Sequence, residues 1–181
     1  MDTSGKVEVR RSSSVLQATL ADGQLNGTSR ISEDGRPQAV LSYRNGVQQG
    51  PMLIYHANGQ PSARLNFHQD KLHGLAQFYG SQGNLIREAH YQAGLLHGVV
   101  TSYFEDGILA SREHYRLGQL HGVFQRFHGN GAVASKMEYD HGKLLEQGRS
   151  FNPDGRPLDE QGKAMGRWQA WWLKWRQPPE V

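Results

Sequence analysis

The chain of 181 residues contains no cysteine, which removes disulfides, thiol catalysis and cysteine-ligated zinc from consideration. It has no apolar run approaching the roughly 18 residues that a membrane-spanning helix needs. Its opening, Met1 to Leu20, carries Asp2, Lys6, Glu8, Arg10 and Arg11 where a signal peptide needs a continuous apolar stretch. As written, the sequence is expected to be soluble and cytoplasmic, or periplasmic if a signal peptide has been removed. Charge of one sign is also lacking. The 20 Lys and Arg face 17 Asp and Glu, for a net charge of +3, and the signs are interspersed rather than gathered into the basic stripe of a nucleic-acid binder. Nucleic acid is therefore not expected as a partner, and the length is that of one domain.

Glycine is abundant: 22 residues, about 12% of the chain against a usual value near 7%. Its placement is periodic. Gly35, Gly59, Gly83, Gly107, Gly131 and Gly155 recur every 24 residues, and Gly46, Gly94, Gly118 and Gly142 share that period with Asp70 in the vacant slot. A third series runs Gly50, Gly74, Gly98, Gly122. Two aromatic series keep step, Tyr55, Tyr79, Tyr103, Phe127, Phe151 and Tyr43, Phe67, Tyr91, Tyr115, Tyr139. Such self-similarity identifies a repeat architecture.

The segments between glycines run about six to nine residues and alternate in polarity, as in Val99, Thr101, Tyr103, so they read as strands and are too short for helices. Asp34-Gly35, Asn45-Gly46, Asn58-Gly59, Asp106-Gly107, Asn130-Gly131 and Asp154-Gly155 read as hairpin turns supplying the positive φ angles of primed turns. Each unit is one β-hairpin plus the turn to the next. Alternation along the second strand predicts one apolar face carrying Leu85, Leu109, Val133 with Tyr91, Tyr115, Tyr139. It predicts a wet face carrying Arg64, Glu88, Arg112, Lys136 beside Asn66, His90, His114, Glu138. The expected fold is all-β, a single-layer curved antiparallel meander of about ten to twelve strands. Residues 1–21 supply the first strands, 22–157 the hairpin repeats and 158–181 a C-terminal segment.

The string from Tyr91-Gln92-Ala93-Gly94-Leu95-Leu96-His97-Gly98 through Tyr103 to Gly107 recurs from Tyr115-Arg116-Leu117-Gly118-Gln119-Leu120-His121-Gly122 through Phe127 to Gly131. It resembles the MORN repeat, and more narrowly the bacterial variant of the YwqK-type antitoxin group. Departures fall at Asp70, at Gln48-Gln49 and at Leu145-Glu146, in the outer units. The resemblance implies a tandem-hairpin scaffold that binds proteins, some members having been proposed to touch phosphoinositide headgroups. In the bacterial group it implies an antitoxin or immunity protein that neutralises a toxin effector, including those delivered by secretion systems, by direct binding.

No enzyme and no cofactor are expected. The equivalent histidines His73, His97 and His121 should lie two strands apart, about 9.6 Å, too far to share one metal ion. The same spacing separates repeat-equivalent residues that would have to pair as nucleophile and base. His90 with Glu113 and His114 with Glu138 read as pairs able to meet across strands, as surface contacts rather than a catalytic dyad. The candidate partner-binding residues are Arg64, Glu88, His90, Arg112, His114 and Lys136, with Tyr55, Tyr79, Tyr103 and Phe127 as aromatic anchors if their face is the concave one; a solvated face that merely keeps the sheet soluble is the competing reading.

All tryptophans of the chain, Trp168, Trp171, Trp172 and Trp175, fall in the last segment at i, i+3, i+4, i+7, the stripe of an amphipathic helix stopped by Pro178-Pro179. Three destinations compete for that stripe: the open edge of the sheet, a groove on a partner, or a membrane surface. The functional expectation is a non-catalytic protein that neutralises a bacterial toxin effector, such as a secreted lipase or phospholipase. The alternative is a membrane-associated scaffold binding anionic lipid headgroups.

Overall fold

The computed structural model describes residues 4–166. Its strands are β1 (Gly5–Arg11), β2 (Ser14–Ala21), β3 (Gln24–Leu25), β4 (Gly27–Glu33), β5 (Arg36–Arg44), β6 (Val47–Gln48), β7 (Gly50–Tyr55), β8 (Pro61–His68) and β9 (Lys71–Leu72). They continue as β10 (Gly74–Tyr79), β11 (Leu85–Gln92), β12 (Leu95–Tyr103), β13 (Leu109–Arg116), β14 (Gln119–Leu120), β15 (Gly122–Phe127), β16 (Val133–Asp140), β17 (Lys143–Leu144) and β18 (Arg149–Ser150). Every pairing is antiparallel and joins neighbours along the chain, so the sheet is a single open meander, and the described residues contain no helix. The two-residue strands β3, β6, β9 and β14 are the first halves of longer ones interrupted by a bulge, as β14 and β15 both pair with β13. The Trp168–Trp175 stripe lies outside the described residues.

Direct cross-strand partners share a face, and the register therefore sorts the side chains. One face, here the closed face, carries a row Ala76, Ala89, Val100, Glu113, Phe124, Met137. Beside it, Ile31, Ala39, Ile54, Ala63 and Phe78 alternate large and small. Ala89 and Val100 are 0% exposed. Among the described residues no second layer packs on the sheet, and the larger side chains of the same face are the neighbours available to cover these two.

The outer rows explain the repeat signature. Phe67 pairs with Gly50, Tyr91 with Gly74, Tyr115 with Gly98 and Tyr139 with Gly122. On the other flank Tyr91 meets Leu96 and Tyr115 meets Leu120. Each ring thus lies between a leucine and a strand position with no side chain. Gly98, at φ +90°, sits just past the His97 bulge in a conformation closed to residues with a Cβ.

Two corrections to simple alternation follow from irregularities in the ladder. A bulge in each hairpin pairs Tyr79 with Leu85 while Phe78 pairs with Arg87, and likewise Tyr103 with Leu109 and Phe127 with Val133. The extra residue reverses parity. Leu85, Leu109 and Val133 therefore lie with Tyr79, Tyr103 and Phe127, not with Tyr91, Tyr115 and Tyr139 as strict period two requires. The turns also divide into two kinds. Asn45-Gly46, Ala93-Gly94, Leu117-Gly118 and His141-Gly142 have both central residues at positive φ, the primed turn expected. At Asn58-Gly59, Asp106-Gly107 and Asn130-Gly131 only the glycine is at positive φ. There the side chain works instead: Asn58 Oδ1 accepts from the Gln60 amide at 3.0 Å and Asp106 Oδ1 from Ile108 at 3.1 Å, the Asx device that closes a longer turn.

Both margins of the ribbon are stitched between repeats. On one, the turn glycine donates to a carbonyl of the preceding unit: Gly94 to Leu72, Gly118 to Leu96 and Gly142 to Leu120, each at 2.8 Å. On the other, Asn58 Nδ2 donates to the Ser81 carbonyl at 2.7 Å and Asn130 Nδ2 to that of Pro153 at 2.8 Å. His56 and His128 add Nε2 contacts to the carbonyls of Tyr79 (2.9 Å) and Phe151 (2.8 Å). After Ser150 the repeat gives way to tight turns closed by isolated bridges, Phe151 to Pro157 and Leu158 to Ala164.

Two substitutions test this account by urea unfolding. Val100→Ala removes two methyl-sized groups from a fully buried site and should lower stability by about 2 kcal/mol. Leu117, exposed and at φ +50°, occupies a left-handed position without benefit of burial; Leu117→Asn should raise stability by about 1 kcal/mol.

Candidate binding surface

The opposite, open face carries the charged candidates in one unbroken cross-strand row. Arg30, Val40, Leu53, Arg64, Gln77, Glu88, Thr101, Arg112, Gln125, Lys136 and Arg149 are successive direct partners. A parallel row brings Leu75 opposite His90, Val99 opposite His114 and Val123 opposite Glu138. Tyr79 and Tyr103 stand on this same face. Tyr79 Oη donates to Gln77 Oε1 at 3.0 Å, Tyr103 Oη to Glu88 Oε2 at 3.4 Å, and the Arg64 guanidinium lies 5.5 Å from the Tyr79 ring centroid. Tyr55 and Phe127 hold the equivalent positions beside Leu53 and Gln125.

These contacts make the surface partly pre-formed. Glu88, half-buried, accepts from Gln77 Nε2 at 2.8 Å as well as from Tyr103, so its carboxylate is held between a polar and an aromatic neighbour. Arg64 and Arg112 are exposed, with Gln77, Glu88 and Thr101 between them. His90 is exposed, whereas His114 is half-buried and donates from Nδ1 to the Val123 carbonyl at 2.8 Å, which spends that nitrogen on the backbone. His90 and Glu113 lie on opposite faces and do not meet. His114 and Glu138 share a face with Val123 between their positions. At the C-terminal end the row runs into a groove lined by Gln125, Val133, Lys136, Arg149, Phe151 and Leu158.

Sequence reasoning missed a polar insertion in the closed face. Glu113 occupies the slot filled by Ala89 and Met137 in the flanking units, and it accepts from Ser111 Oγ at 3.1 Å and Tyr115 Oη at 2.8 Å. Arg87, Ser102, Ser111 and Arg126 form the adjoining row, and Arg126 lies 5.8 Å from the centroid of the Phe124 ring. Burial first, then the hydrogen bond to the Glu113 carboxylate and its charge, push the Tyr115 hydroxyl up to about 12. The only signal in the sequence was a carboxylate at an apolar position of the repeat.

A family model described as MORN repeat variant matches residues 72–93, 96–116 and 120–141. No curated protein sequence matches the chain. The matched segments begin and end at the bulges and turns described above, and the same hairpin geometry continues on both sides of them.

Tyr115 supplies a pH test. An unfolded tyrosine loses its proton near pH 10, while the folded phenol keeps it to about 12. The unfolded chain therefore holds fewer protons across that window, and this contribution to stability, complete below it, should be lost as pH rises through it. Titration of tyrosinate absorbance should resolve one late tyrosine, and Glu113→Gln should bring its midpoint back toward 10. The three segments 72–93, 96–116 and 120–141 are similar to the MORN repeat of the variant type.

Proposed function

We propose that this chain is a non-catalytic binding protein that neutralises a toxic bacterial effector by covering it with the open face of its sheet. The observation that carries this reading is the transverse row that runs from Arg30 to Arg149, cationic at Arg30, Arg64, Arg112, Lys136 and Arg149, with Glu88 the one carboxylate inside that stretch and Glu8 at its N-terminal continuation through Gln17. It lies beside the aromatic line of Tyr55, Tyr79, Tyr103 and Phe127.

A row of fixed charges on a rigid ladder suits an extended, acidic protein surface. Arginine and tyrosine are the residue types that dominate binding energy where they can be desolvated. Complementary charge steers encounter and sets register. MORN repeats generally bind proteins or lipids, which agrees with a surface rather than a pocket. The restriction to a toxin, with a secreted lipase or phospholipase as one candidate, rests on the resemblance to the bacterial antitoxin group.

The effector encoded beside the gene should co-purify with the wild-type chain and lose its toxicity when the two are co-expressed. The double variant Arg64→Glu, Arg112→Glu should weaken binding by about 10- to 100-fold, with an on-rate that falls steeply as salt is raised in the wild type and little in the variant. Unchanged binding by the double variant would move the contact to the closed face. Co-sedimentation with anionic liposomes at physiological salt, without any protein partner, would favour the membrane scaffold instead.

A further inference from the structure

The excluded metal site was one built from equivalent histidines. The stitching between repeats creates a different juxtaposition. Because the Gly142 amide donates to the Leu120 carbonyl at 2.8 Å, the turn that follows β16 is held against the bulge that precedes β15. His121, on that bulge, is thereby brought beside Asp140 and His141 of the turn. Its Nδ1 lies 3.0 Å from Asp140 Oδ1, and His141 Nδ1 lies 2.7 Å from the same oxygen. The two imidazole rings stand 5.1 Å apart, edge to face. One donor atom from each of the three residues falls within 4.8 Å of the others.

We propose that His121, Asp140 and His141 form a binding site for a divalent transition-metal cation of the zinc type. The donor set is two imidazole nitrogens and one carboxylate oxygen, the chemistry of zinc, nickel or copper(II) rather than of calcium or magnesium, which take oxygen shells. Zinc bonds of about 2.0–2.1 Å place tetrahedral neighbours roughly 3.4 Å apart. The two approaches to Asp140 Oδ1, at 3.0 and 2.7 Å, would have to open by about 0.4 and 0.7 Å to reach that spacing.

The state of His121 points the same way. Its Nδ1 is shut off from solvent and, despite the short approach to Asp140, has no hydrogen-bond partner in alignment. A buried polar atom left so costs stability unless something takes it up. His97 has an equally unpartnered Nδ1 at the same bulge one unit earlier, but the turn facing it carries Arg116 and Leu117 in place of Asp140 and His141. The chain therefore contains its own control. The backbone on both sides is fixed, by the His121 amide to the His114 carbonyl at 2.9 Å and by the Gly142 stitch, so the ligands are presented rather than gathered. A bound ion would clamp one turn to the unit before it, and water would complete the coordination.

The test uses the untagged full chain and zinc chloride in metal-free buffer, followed by calorimetry. One equivalent should bind. His121→Gln and His141→Asn should each weaken it by at least about tenfold, a loss that even outer-shell partners of a metal produce, and His97→Gln should leave it unchanged. Both ligand variants are safe for the fold, because Gln49 already occupies the bulge position and Asn45 the left-handed turn position in an earlier unit. Zinc should also raise the thermal midpoint of the wild type and not that of His141→Asn. Zinc binding unaltered in both variants, binding lost equally in His97→Gln, or no uptake by the wild type would each overturn the proposal.

Discussion

Among the described residues the sheet has no second layer on it and has to bury its own apolar side chains, and that requirement organises the molecule. Phe67, Tyr91, Tyr115 and Tyr139 of the closed face each lie over a glycine on one neighbouring strand and against a leucine on the other, which leaves room for a large ring. Inside that rim the residues are small: Ala63, Ala76, Ala89 and Val100 are buried, with the larger Ile54, Phe78 and Tyr91 on the same face. Larger groups at those centres would force the rim apart, and smaller groups at the rim would uncover the centre. The repeat period is the length of chain needed to make one ring, one gap for it and one pair of turns.

Closing one face leaves the other free of that duty, and the open face accordingly carries the charge. Its residues nonetheless keep register, because they occupy the same strands whose inner side chains cannot slip by one position without exposing the core. The row from Arg30 to Arg149 is thus a by-product of the packing on the reverse side: spacing is set by strand separation, and only residue type is left to function. This division lets a recognition surface vary in chemistry while the geometry beneath it stays constant.

The period, the hairpin unit and the meander were legible because glycine and aromatic positions recur in one frame, with few exceptions. The candidate surface was legible in part. The Arg64, Glu88, Arg112, Lys136 column was readable from alternation, since those residues lie between irregularities. The placement of Leu85 and Leu109 was not, because one additional residue in the ladder reverses parity and leaves no mark in composition. Asn58 and Asp106 were read as supplying backbone angles, whereas their side chains accept amide hydrogens; both uses favour the same residue types. Neither the meeting of His121 with His141 nor the Gly142 amide reaching Leu120 was visible, since both depend on one unit leaning against another.

The reciprocal stitches at both margins have an evolutionary corollary. Asn130 reaches the carbonyl of Pro153, 23 positions further on, as Asn58 reaches that of Ser81, and Gly142 reaches back to Leu120 as its equivalents do in the other units, so the fastenings link a unit to its neighbour at matching positions. Lengthening by a whole unit leaves all fastenings matched, whereas gain or loss of a fraction would misalign both seams at once. Duplication in complete modules is therefore the permitted route of growth, and the span offered to other molecules changes in fixed increments.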